Sequence, residues 1–137
     1  MTPENRADRV ADALPRLIAR IEEERLKAGL IPDRVGLFGF SQGAIMAVAA
    51  AARGYALGSV VAAAGRLAAS VEPATPVSPR VLLLHGSADS VIPIEEGRDA
   101  AQRLEAAGYR ATFDAQPSQG HGVNSAQIEA AANWFAA

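Results

Sequence analysis

Four short apolar runs, separated by longer segments with helical character, constrain this chain more than any other feature in it. The runs are Arg34–Phe38, Gly58–Ala63, Val81–Leu84 and Arg110–Asp114. Each has strand length and is bounded by Gly, Pro or Asp, so each reads as a buried or half-buried strand. Gln42–Arg53, dense in small residues, follows the first run as a helix able to lie close to a sheet. Ile94–Ala107, ended by Gly108, follows the third, and Ser125–Phe135 follows the fourth with Ile128, Trp134 and Phe135 expected as its buried face. "SVEPATPVSPR" is Pro- and Ser-rich and reads as a surface loop. Ahead of the first strand, Thr2-Pro3 reads as an N-cap with proline at the first helical position. Val10, Leu14, Leu17, Ile18 and Ile21 then form one apolar face, which Pro15 should kink or divide before Gly29 and Pro32 end it.

Strands alternating with helices imply an α/β domain: about four parallel strands with helices on both faces. In such sheets functional groups collect beyond the C-terminal ends of the strands. Three chemistry-bearing residues stand there: Ser41, Asp89 and His121.

Composition narrows the function classes. The 137 residues suit one domain, and with half of them hydrophobic a packed core is expected. Net charge is −2 with Lys and Arg scattered, which argues against a nucleic-acid partner. The sequence has no cysteine, so disulfides, thiolate metal sites and cysteine nucleophiles are excluded. Two histidines leave little material for a metal site, and no metal or cofactor is expected. The polar start "MTPENRADRV" lacks the apolar stretch of a signal peptide, and the apolar run Ala44–Ala52 is too short for a bilayer. A soluble, cytoplasmic protein without membrane insertion is the expectation.

Gly39-Phe40-Ser41-Gln42-Gly43 fits the G-x-S-x-G elbow, in which a serine occupies the strained apex of a strand-to-helix turn. Glycine at both flanking positions is expected to remove collisions with neighbouring backbone. The helix N-terminus behind the serine favours developing negative charge. A dinucleotide-binding turn would instead want an acidic residue about 20 positions on. "LGSVVAAAGRL" offers none there.

Asp89, in "LLLHGSADSVIP", and His121, in "SQGHGVNS" between Gly120 and Gly122, follow Ser41 in chain order. A lone Asp there is an ordinary cap, and a lone loop His is commonly incidental. Their joint occurrence, each at a strand's C-terminal end, is the order Ser…Asp…His of the α/β-hydrolases. His85 is the alternative base, read as a structural residue shaping the loop that presents Asp89; Asp114 is the alternative acid.

"GLFGFSQGAIMA", "VLLLHGSADSVIP", "GHGV" and the terminal "AANWF" together resemble the phospholipase/carboxylesterase family of α/β-hydrolases, which includes acyl-protein thioesterases. The resemblance implies a serine hydrolase that cleaves carboxylic esters or thioesters of short to medium acyl chains without a cofactor. It makes Ser41 the nucleophile, His121 the general base and acid, and Asp89 the residue orienting His121, with the Gln42 N–H as an oxyanion donor. Phe40, Gly65, Arg66, Leu67 and Val91 become candidates for the pocket wall.

The resemblance covers only the C-terminal part of the family's pattern. In the family several strands come first, and a His-Gly-rich loop after one of them supplies a second oxyanion N–H; nothing like it precedes Ser41. The implied fold is a truncated α/β-hydrolase, with the Arg34–Phe38 strand turned from an internal strand into an edge. A fragment, a shortened inactive gene product and a self-paired chain would each account for that. The apolar edge leads us to expect a homodimer, the two Arg34–Phe38 edges pairing antiparallel into one eight-stranded sheet. The alternative function is a non-catalytic or strongly impaired half-fold, an interaction module lacking the second oxyanion donor.

Overall fold

A computed structural model describes residues 2–137. In chain order the elements are α1 (Arg6–Ala28), a 3₁₀ turn (Pro32–Arg34), β1 (Gly36–Phe40), α2 (Gln42–Ala52), β2 (Ser59–Ala63), β3 (Arg80–Gly86), α3 (Ile94–Ala106), β4 (Ala111–Gln116) and α4 (Ser125–Ala136). The four strands form one parallel sheet in the order β1-β2-β3-β4.

That order places the helices. Each right-handed crossover between successive parallel strands advances the same way, so every crossover lies on the same face of the sheet. α2, α3 and the connection after β2 therefore share one face, where Ala47, Ala51, Leu67 and Leu104 pack on Val60, Ala62, Val81 and Leu83. The alternate residues Val61, Ala63, Leu82 and Leu84 point to the other face, where Ala131 and Trp134 of α4 pack on them. α1 makes its main contacts with a helix and not with the strands. It stacks on α2, Val10 and Leu14 meeting Ile45, Ala49 and Ala50.

Several expected boundaries shift, each for a physical reason. α1 begins at Arg6 with Asn5 at its cap position, because Thr2 and Asn5 close a turn in which the Thr2 N–H donates to Asn5 Oδ1 at 2.8 Å. Pro15 does not divide α1. It sits on the exposed side of the helix, as does Ala11, whose carbonyl loses the bond Pro15 cannot make, while Leu14 and Ile18 keep the helix on α2. The first strand is Gly36–Phe40 rather than Arg34–Phe38: Arg34 is spent in the 3₁₀ turn, and pairing with β2 runs from Gly36↔Ser59 through Gly39 to Phe40↔Ala63.

α4 buries Gln127 and Ala131, not Ile128, which is 58 % exposed, and Phe135 is also partly exposed. The small Ala131 lets the helix lie close over β2 and β3, with Trp134 packed beside it. The Phe135 ring instead covers Gly36 so tightly that a Cβ there would lie 2.7 Å from it.

Among the described residues, nothing pairs with the outer side of β1. Phe38 and Phe40 are 44 % and 40 % exposed along it. No helix among the described residues is long and apolar enough to cross a membrane.

Candidate functional site

The site begins with a backbone constraint. Ser41 ends β1 and caps α2 with φ 55° and ψ −115°, a left-handed conformation that a non-glycine residue adopts only when its surroundings impose it. Its N–H donates to the Ala63 carbonyl at 2.9 Å, carrying the β1–β2 ladder one residue past the strand. A serine at a helix N-cap ordinarily turns its hydroxyl onto the helix N–H groups. Here the side chain makes no such cap, and Oγ is left for another partner.

The two elbow glycines are not equivalent. A Cβ on Gly39 would stand 2.3 Å from the Gly43 carbonyl oxygen, inside the backbone of α2, so the tight turn requires glycine at that position. A Cβ on Gly43 would meet nothing within 4 Å. The expectation that both flanking glycines relieve collisions is therefore corrected for Gly43: its backbone is what Gly39 approaches, and a side chain there would meet nothing.

The partner for Ser41 comes from 80 residues downstream: His121 Nε2 lies 3.0 Å from Ser41 Oγ. On the other side of the ring, Nδ1 lies 2.8 Å from Asp89 Oδ2. An ionised carboxylate only accepts, so the proton sits on Nδ1 and leaves Nε2 to accept from the Ser41 hydroxyl. The second Asp89 oxygen, Oδ1, accepts from the N–H groups of Val91 and Ile92, both at 2.9 Å. Burial pushes the Asp89 carboxyl up. The hydrogen bond from His121, then those from Ile92 and Val91, outweigh it and hold the group below the ordinary aspartate range.

Two loops must interlock to bring Asp89 and His121 together. The Ala88 N–H donates to the Gln119 carbonyl, the Ser118 N–H to Ser87 Oγ, and the Ser87 N–H to the Gln116 carbonyl, at 2.8–2.9 Å. Gly86 permits this approach, since a Cβ there would stand 2.2 Å from the Gln119 carbonyl oxygen. Gly86, Ser87, Ser118 and Gln119 were not singled out from sequence. The only signal was the glycine following His85 at the end of an apolar run. Gly120 and Gly122, on either side of His121, do not use the left-handed region, and the interlock of the two loops aims the ring.

The remaining candidates separate. The Phe40 ring lies against His121, with centroids 5.1 Å apart, on the open side of the site. Gln42 opens α2, whose first N–H groups lack intrahelical acceptors. Val91 exposes its side chain and serves Asp89 through its backbone. Gly65 is buried against Ala44, and Leu67 is packed in the core between α2 and the sheet; neither lines an open wall. Arg66 is half-buried and directed to Glu96 at 3.5 Å. His85 bonds the Ile92 carbonyl rather than Ser41, and Asp114 sits within β4 opposite Leu84.

A cleft of about 650 Å³ lined by Asp33, Gly36, Phe38, Arg80 and Phe135 does not reach Ser41. A smaller one of about 260 Å³ opens between α1 and α2, lined by Arg9, Val10, Ala13, Gln42, Ile45 and Met46. Among the described residues, no group of three or more His, Cys, Asp or Glu is placed to hold a metal ion. A serine hydroxyl bonded to a neutral imidazole, itself held by a carboxylate, is an arrangement suited to nucleophilic acyl transfer.

Comparison with known proteins bears on the same chemistry. The sequence pattern of the family described as Phospholipase/Carboxylesterase matches residues 1–137. Esterase YpfH of Escherichia coli K12 is 31% identical over 130 residues, covering 94% of this chain and 56% of that protein. A probable inactive carboxylesterase of Oryza sativa subsp. japonica is 30% identical over 131 residues, covering 91% and 53%. The crystal structure of esterase PE8 superposes with a TM-score of 0.82 at 28% identity, over 96% of this chain and 62% of that one. The chain thus spans about half the length of the curated relatives it matches.

Proposed function

The chain belongs to the phospholipase/carboxylesterase family of hydrolases, and on that premise we propose that it cleaves carboxylic esters or thioesters through Ser41, His121 and Asp89. One observation carries the reading: the unbroken hydrogen-bond line from Asp89 Oδ2 through His121 to a Ser41 hydroxyl held at a strained helix N-terminus.

In the proposed reaction His121 Nε2 takes the Ser41 proton as Oγ attacks the acyl carbonyl carbon. Asp89 keeps the ring in its Nδ1–H form and stabilises the imidazolium that results. The tetrahedral oxyanion accepts from the Gln42 N–H, with the positive end of α2 behind it. Collapse expels the alcohol or thiol, the proton on His121 passing to the departing oxygen or sulfur and leaving the imidazole neutral. Water, deprotonated by His121, then attacks the acyl-serine and restores Ser41.

Short to medium acyl chains are the proposed substrates: the cleft beside Gln42 holds only about 260 Å³, with Val10, Ala13, Ile45 and Met46 on its walls together with the polar Arg9 and Gln42. Hydrolysis of a short-chain nitrophenyl ester by the chain and by Ser41→Ala tests the function. Equal rates would leave a non-catalytic half-fold as the reading.

The same reading extends to assembly. We propose that the free edge of β1, with Phe38 and Phe40 exposed along it, pairs antiparallel with β1 of a second copy in a two-fold dimer.

A further inference from the structure

Beneath the proposed catalytic line lies a second histidine that the reaction does not use. His85 is the penultimate residue of β3, and only 1 % of it is exposed. Its Nε2 stands 2.7 Å from the Ile92 carbonyl oxygen. A carbonyl only accepts, so Nε2 carries the proton and donates. The N–H of that same Ile92 donates to Asp89 Oδ1 at 2.9 Å. His85, Ile92 and Asp89 thus form a chain of contacts that ends on the carboxylate, on the oxygen opposite the one facing His121.

Two further features hold the ring in place. Nε2 lies 3.5 Å from Asp89 Oδ2, so the ring sits directly beside the carboxylate while its N–H serves Ile92. Behind the ring, α3 comes so close that a Cβ on Gly97 would stand 2.5 Å from His85 Nδ1. The imidazole is wedged between α3 and the acid loop with its donor aimed at one acceptor.

We propose that His85 is a positioning residue for Asp89. Through the Ile92 carbonyl it fixes the loop 89–92, so that Oδ1 is occupied by backbone N–H groups and Oδ2 is presented to His121. The proposal rests on the reading of Asp89 and His121 as parts of the catalytic line. Removing the His85 donor leaves the buried Ile92 carbonyl unsatisfied, and the loop relaxes to find another partner. A shift of about 1 Å in a catalytic group is worth on the order of 10²-fold in rate.

Three substitutions at one position separate this role from simple packing. Glutamine extends an N–H donor to about the reach of His Nε2. Methionine fills the space without a donor, and asparagine keeps an amide that falls short. With a short-chain nitrophenyl ester, His85→Met and His85→Asn should lose roughly 10- to 100-fold in kcat with KM within about twofold, and His85→Gln should recover to within about threefold. Gly97→Ala, which displaces the ring without changing its chemistry, should reproduce the loss.

Proton NMR of the same variants reads the His121 Nδ1–H resonance, which reports the bond to Asp89 independently of turnover. That resonance should broaden or move in His85→Met and persist in His85→Gln. An unchanged resonance in folded His85→Met or His85→Asn, or equal kcat in all three variants, overturns the proposal. Absence of ester hydrolysis in the unsubstituted chain would instead count against the hydrolase function, while the resonance would still decide whether His85 holds Asp89.

Discussion

His121 Nε2 lies 3.0 Å from Ser41 Oγ although 80 residues separate them, and the Nδ1 of the same ring lies 2.8 Å from Asp89 Oδ2. The bond turns a capping serine into a candidate nucleophile, because the hydroxyl that would otherwise serve α2 is given to the imidazole.

Ser41→Ala and His121→Ala should each reduce ester hydrolysis to the buffer rate, a loss on the order of 10⁴-fold or more in an efficient enzyme. The double variant should be no slower than either single one, since groups acting as a unit are not additive. Nitrophenyl ester kinetics check both points. A double variant slower than each single variant by the product of their effects would mean that the two residues act separately.

The unequal elbow glycines make a stability prediction. Gly39→Ala forces a Cβ into the Gly43 backbone and should destabilise by about 1–3 kcal/mol, the usual range for overpacking. Gly43→Ala enters open space at the start of α2 and should be neutral, or stabilising by up to about 1 kcal/mol. Urea denaturation of the two variants decides, and similar losses for both would contradict the asymmetry.

Asp89 links stability to pH. Its folded value is lowered from an ordinary 3.8 by hydrogen bonds that outweigh burial. The native state therefore holds this proton less tightly than the unfolded chain does. The stability it contributes is present above the unfolded value and is lost as pH falls through the lowered folded one. Denaturation of the chain and of Asp89→Asn between pH 7 and pH 3 should show a gap that is steady down to about pH 4 and narrows below it. A gap unchanged at pH 3 would show that the carboxylate charge is not what holds the loop.

The β1 edge predicts self-association. Light scattering should give twice the 14.2 kDa chain mass at micromolar concentration, and Phe38→Lys should shift the chain to monomer. Hydrogen exchange of the 36–40 amides should slow as concentration rises. Monomer mass with freely exchanging amides would remove the dimer.

Much of the fold was legible because its signals are local. Short apolar runs ended by Gly or Pro mark strands whatever they later touch, and the alternation with helices is enough to imply a parallel sheet. The misread elements are those whose outcome depends on a neighbour. Ile128 and Phe135 look like the core face of α4, but the sheet beneath prefers the small Ala131, which lets the helix approach. Gly39 looks like the end of β1, yet it is a strand residue on which α2 rests. Leu67 looks like a pocket wall, and the crossover after β2 folds it into the core.

By itself the sequence determined the α/β alternation, the serine at the turn, and the order in which Ser41, Asp89 and His121 reach the same end of the sheet. Tertiary structure alone decided which histidine meets the serine, which nitrogen carries the proton, and how the loops at 86–89 and 116–121 interlock over Gly86. The reason is range. Strand and helix periodicity is written within ten residues, whereas an imidazole aimed at a hydroxyl 80 positions away depends on the register of three strand pairs and on backbone contacts no local pattern records.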